Sequence, residues 1–152
     1  MAATQTVTLL DGEQVTFKGY PWWLFWLPAG YTITLSPNIY TDSSRFGTDP
    51  QSITDLVYTG QHEIVHVRQQ AAMGRWKFFL KYVFSRNFRY SQELPAYIAQ
   101  FQWELDTHRP VTASNIKEVA AALSSWTYLW CVSEDKAIAD ITAGVGANNI
   151  SK

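Results

Sequence analysis

The chain has 152 residues, enough for one domain that buries most of its apolar surface. Twelve basic and thirteen acidic side chains leave a formal net charge of −1, which argues against a polyanion binder of the strongly basic kind. The single cysteine, Cys131, excludes an internal disulfide framework.

Aromatic content is 15%, with seven tryptophans, which points to a sizeable core and to some aromatics exposed at a groove or interface. The first fourteen residues lack a basic segment followed by an apolar one, so synthesis and folding in a cytoplasm are expected. Carriage in a viral particle stays open beside that.

In chain order, Gln5 to Leu10 and Gln14 to Lys18 alternate as strands, with Asp11-Gly12 as the hairpin turn. The apolar run from Pro21 to Ala29 is too short to span a bilayer. It reads as a core-covering segment or as an exposed aromatic platform. Gly30 to Leu35 and Ile39 to Thr41 form a second strand pair across Ser36-Pro37-Asn38. Asp49 as cap and Pro50 at the first helical position open a helix expected to reach Met73, with Gly74 as its stop.

The next helix, Arg75 to Ser85, is expected to pack Trp76, Phe79, Leu80 and Val83 on one side. A third is expected from Ser91 to Leu105, with Pro95 in its first turn. Its Leu94, Ile98, Phe101 and Leu105 look like core, while Glu93, Tyr97, Gln100 and Glu104 share a polar side. Asn115 to Glu118 reads as a capping box for a helix through Leu123. Ser133 is expected to cap a last helix to about Ile141, and the tail from Gly144 to fray. Trp126 to Val132 fits helix and strand equally. Cys131, in an apolar run, is expected to be a buried, inert thiol.

No acidic residue lies between Glu63 and Glu93, where Arg68, Arg75, Lys77, Lys81, Arg86 and Arg89 accumulate. Such a run is either a solvated face with snorkelling stems or a contact for an anionic surface or partner protein. No nucleic-acid motif accompanies it, so no nucleic acid is expected as partner.

The stretch that carries chemistry is Gln61-His62-Glu63-Ile64-Val65-His66-Val67-Arg68-Gln69. Residues four apart share one face of a helix, so His62 and His66 can hold one metal ion together. Glu63 lies about 100° round from His62, beside that ion, where its carboxylate can take a proton from a metal-bound water. Two histidines alone bind zinc weakly, and a catalytic site needs a third protein ligand. Later acidic residues are the first candidates, Glu93 ahead of Glu104, then His108 and, last, Cys131. Gln69, one turn beyond His66, can orient a metal ligand or Glu63 by a hydrogen bond.

His62 to Gln69, followed by Glu93-Leu94-Pro95-Ala96-Tyr97, resembles the gluzincin type of zinc metallopeptidase, in particular the small domains found in bacteria and their phages. The resemblance covers roughly Tyr31 to Tyr97. It implies one Zn2+ per chain held by His62, His66 and Glu93, with Glu63 as general base and a peptide or protein as substrate. It implies an edge strand above the metal helix, a role open to Gly30 to Leu35 with Asn38 to Thr41. Tyr97 is a candidate for positioning a metal ligand, and Tyr97, Tyr128 and His108 are the candidates for stabilising an oxyanion.

The fold class expected is α+β, a single zincin-like domain over residues 1–152, with a small N-terminal antiparallel sheet packed on a mainly helical C-terminal part. The rival reading is a catalytically silent, zinc-stabilised structural or binding module, such as a phage particle component. A third reading makes the motif accidental and the basic aromatic segment 68–90 the working surface.

Overall fold

The computed structural model describes residues 3–24 and 31–151. It is α+β: a four-stranded N-terminal sheet precedes a mostly helical remainder. The chain divides into two compact units, Met1–Arg75 and Trp76–Lys152.

In the first unit, β1 (Thr4–Thr8) and β2 (Gln14–Gly19) pair antiparallel from Thr4↔Lys18 to Thr8↔Gln14. The turn between them is set locally. Asp11 accepts the Glu13 amide at 3.0 Å, and Gly12 takes φ +83, a conformation that favours glycine. β3 (Thr32–Leu35) and β4 (Asn38–Thr41) form the second hairpin.

The sheet order is β1-β2-β4-β3, and β2 runs parallel to β4 with Phe17 opposite Ile39. The expected antiparallel sheet is therefore mixed. β3 takes the outer position, and the tight hairpin returns β4 between β3 and β2 in the direction of β2. β3 is left as an edge. Of the Trp-rich stretch, residues 22–24 form a short 3-10 turn that buries Leu24 and exposes Trp22. The rest of it, 25–29, falls outside the described residues, as does Gly30, the expected start of the next strand.

α1 runs Pro50–Met73, as its end signals require. Asp49 accepts the Ser52 amide at 2.9 Å, and Gly74, at φ +88, closes the helix with its N–H on the Gln70 carbonyl. Leu56 and Ile64 pack with Val7, Leu9, Val15, Phe17 and Ile39 into one core. A Cβ at Gly60 would sit 3.1 Å from Leu9 Cδ2, so glycine there allows the helix to lie close on the sheet.

In the second unit, α2 (Arg75–Phe84) buries only Phe78, which stacks 5.7 Å from Tyr82 and meets Phe88 edge-on at 5.5 Å. The side expected inward, Trp76, Phe79, Leu80 and Val83, is exposed. Phe78 and Tyr82 take the inner face instead.

α3 (Arg86–Asp106) starts earlier than expected, because Ser85 caps it by accepting the Phe88 amide. Pro95 then lies in its interior. The proline ring denies the Ser91 carbonyl its helical partner, and both residues sit on the exposed side, where water can reach that carbonyl.

β5 (Val111–Thr112) leads into α4 (Ala113–Ser124). Here the capping box is Thr112 with Asn115, one turn before the expected one, because Thr112 supplies the extended backbone and hydroxyl that a cap needs. Trp126–Tyr128 is a 3-10 turn. α5 (Glu134–Val145) outruns the expected end at Ile141, stopping where Gly146 takes φ +89. Through Ser151 the tail is structured rather than frayed: β6 (Ile150–Ser151) pairs parallel with β5, and Ile150 packs on the core. That core is Phe101 of α3, Val111, residues of α4 and α5, and Cys131.

Candidate metal centre

His62, Glu63, His66 and Gln70 are all buried on α1. The helix therefore carries two buried sides. One holds the apolar core, and the other packs polar groups against β3. Thr34 of β3 is buried and donates its hydroxyl to Glu63 Oε2 at 2.6 Å. Gln70 accepts the Ser36 amide at 2.9 Å and donates to the Thr34 carbonyl at 2.8 Å. Its amide takes the outward groups of the edge strand much as a neighbouring strand would.

His66 Nδ1 lies 2.8 Å from Gln69 Oε1. A carbonyl oxygen only accepts, so this contact suits the tautomer with its proton on Nδ1, in which Nε2 can serve as a metal ligand. His66 Nε2 is 3.1 Å from His62 Nε2. Two zinc–nitrogen bonds of ~2.05 Å at a tetrahedral angle would set their nitrogens ~3.3 Å apart, so the spacing suits two ligands of one ion.

In the second unit Glu93 is 2% exposed on α3. Tyr82 donates its hydroxyl to Glu93 Oε1. Arg89, equally buried, donates to the Val83 carbonyl at 2.7 Å and the Tyr128 carbonyl at 3.2 Å, and lies 5.4 Å over the Tyr82 ring. The Tyr97 and Tyr128 hydroxyls are 2.6 Å apart. Burial first, and then the Glu93 charge, push the Tyr82 and Tyr128 hydroxyls well above the usual tyrosine range. Both stay protonated.

His62, His66 and Glu93 each offer a ligand atom, and these atoms all lie within 4.8 Å of one another. This His-His-Glu group can hold a metal ion. Two imidazole nitrogens and one carboxylate oxygen form a donor set suited to several divalent ions, zinc among them.

Glu104 is not in the group. It sits three turns further along α3, about 16 Å by helix rise. Burial raises its pKa, with Arg109 opposing. His108 is exposed beyond the end of α3, at φ 57. Cys131 is a buried free thiol, donating to the Leu123 carbonyl at 3.3 Å; burial pushes its pKa up.

Three residues around these groups are not singled out by the sequence, Thr34, Gln70 and Tyr82; Arg89, read there only as part of the basic run, is buried rather than solvated. Thr34 is one threonine in a β-rich strand. Tyr82 belongs to a run whose charge draws the eye first. Comparison of the chain with known protein families, curated proteins and solved structures finds no match.

Proposed function

We propose that this chain is a zinc-dependent peptidase, in which His62, His66 and Glu93 hold the metal and Glu63 is the general base. The observation that carries the reading is the His-His-Glu group, together with a buried carboxylate next to His62 whose one oxygen is already held by Thr34. A divalent ion bound by the three ligands would supply Lewis-acid polarisation of a scissile carbonyl and activation of water.

The protein's own groups supply the rest. Thr34 holds Glu63 Oε2, which leaves Oε1 to accept a proton from the attacking water and return it to the leaving amine nitrogen. Gln69 fixes the His66 ring so that Nε2 faces the ligand position. An extended peptide would pair with the edge of β3. Gln70 already takes the Thr34 carbonyl and the Ser36 amide, so pairing would run on the Thr32 side.

The test is elemental analysis of purified, untagged protein followed by a peptide panel. The expected result is about one zinc per chain, as a three-ligand site requires, lost with His62→Ala or His66→Ala. Glu63→Gln should retain the zinc and lose cleavage by roughly 100-fold or more. A wild type that holds zinc and cleaves nothing would make the chain the silent, zinc-stabilised module. No zinc would sink both.

A further inference from the structure

The second unit turns a group of large apolar side chains outward. At 100° per residue, Phe79, Val83, Trp76, Leu80 and Phe84 fall in that order across an arc of about 140° on α2. Phe84 is 83% exposed, Trp76 72% and Leu80 55%. Lys77 and Lys81, both exposed, border this arc, and exposed Arg86 follows at once. Phe78 and Tyr82 occupy the inner side.

A second patch lies in the same unit. Trp126 is 66% exposed, and Leu129 and Trp130 are exposed beside it. Leu129 and Trp130 sit at φ 52 and 48, a left-handed conformation costly for bulky side chains. The turn thus carries strained backbone while projecting apolar groups rather than burying them. One guanidinium joins the two patches. Arg89 donates to the Val83 carbonyl near the end of α2 and to the Tyr128 carbonyl in the turn.

We propose that α2 and the 126–130 turn form a docking surface for an anionic lipid bilayer. α2 lies in the headgroup plane, its aromatic arc reaches the acyl boundary, and Lys77, Lys81 and Arg86 meet lipid phosphates. Charge complementarity selects this occupant. The α2 part of the surface is cationic and aromatic, with no acidic residue in the sequence from Ile64 to Gln92 to repel anionic headgroups, and the 126–130 turn adds apolar side chains and no charge of its own. Tryptophan and lysine at one level is interfacial chemistry. Among the described residues no helix is long and apolar enough to cross a membrane, so contact at the surface is the geometry available to α2. A second copy on the same face would press two cationic rims together. The proposal does not rest on the metal centre.

The test is co-sedimentation of the full chain with unilamellar vesicles of phosphatidylcholine, alone or with about one third phosphatidylglycerol. Anionic vesicles should bind at least ~10-fold more tightly than neutral ones, and less at high salt. The pair Phe79→Ser and Phe84→Ser should weaken binding ~10-fold or more with an unchanged circular dichroism spectrum, since both side chains are exposed. Lys77→Gln with Lys81→Gln should lower both the affinity and its salt dependence. The proposal is overturned if anionic vesicles do not bind the wild type, or if both variant pairs bind like it. It is equally overturned if the wild type is a dimer that the aromatic pair dissolves, which would make a second copy the occupant.

Discussion

Thr34 on the edge strand β3 donates to Glu63 Oε2 on α1 at 2.6 Å, and both residues are buried. The contact gives one oxygen of the carboxylate a fixed donor and so fixes where the other oxygen lies. Thr34→Val keeps the shape and removes the donor. It should cost about 1–3 kcal/mol, the penalty of a buried polar atom left without its bond. Urea unfolding measures this, and Thr34→Ser should recover most of it. A Thr34→Val midpoint equal to the wild type would remove Thr34 from any role in placing Glu63.

Metal binding should show as heat stability. Zinc at about 100 times its dissociation constant adds about 2.7 kcal/mol, which in a chain of this size is roughly 5–10 °C in Tm. His62→Ala, His66→Ala and Glu93→Gln should each abolish that shift. Tyr82→Phe removes the hydroxyl on Glu93 Oε1 and should weaken zinc about 10- to 100-fold without ending binding. Titration calorimetry separates these outcomes, and an unchanged affinity would reduce Tyr82 to packing.

The Tyr90–Asp140 bond, 2.7 Å, should make stability depend on pH at both ends of the range. The Lys136 ammonium first, and then the Tyr90 hydroxyl, hold the Asp140 carboxyl below its usual range. A lowered carboxylate pKa contributes stability that is present above the unfolded value, about 3.9, and is lost as pH falls through the folded one. Burial first, and then the Asp140 bond, raise the Tyr90 pKa. That contribution is present below about pH 10 and is lost as pH rises further. Urea midpoints should fall at both limits. Asp140→Asn should flatten the acid limb and Tyr90→Phe part of the alkaline one. A variant that keeps its limb unchanged would cut the corresponding group out of the account.

Gly144 on α5 faces α3 closely: a Cβ there would sit 2.3 Å from Ile98 Cδ1 and 2.8 Å from its Cγ1. Glycine to alanine inside a helix gains up to about 1 kcal/mol from propensity, while overpacking costs about 1–3. Gly144→Ala should therefore destabilise. The same change in an Ile98→Ala background should stabilise relative to that background. Thermal melts of the four proteins read both signs, and a stabilising Gly144→Ala alone would contradict the packing.

What the sequence settles by itself lies within a turn or two of its cause. Asp49-Pro50 and Gly74 set the ends of α1, because a cap, a locked φ and a left-handed glycine act on neighbouring backbone groups. The four-residue spacing puts His62 and His66 on one face for the same reason. Asp11-Gly12 makes its turn locally too. The fold class follows from these periodicities.

Tertiary packing decided the remainder. Only the returning β3–β4 hairpin makes β3 an edge and runs β4 parallel to β2. Thr34 meets Glu63 across 29 residues, and Tyr82 reaches Glu93 past the break at Ser85. No local rule encodes either meeting. α2 shows the limit most plainly. Its apolar spacing states that one face is hydrophobic, but whether that face is covered depends on what else the chain brings to it. Here the chain buries Phe78 and leaves Trp76, Phe79 and Leu80 exposed.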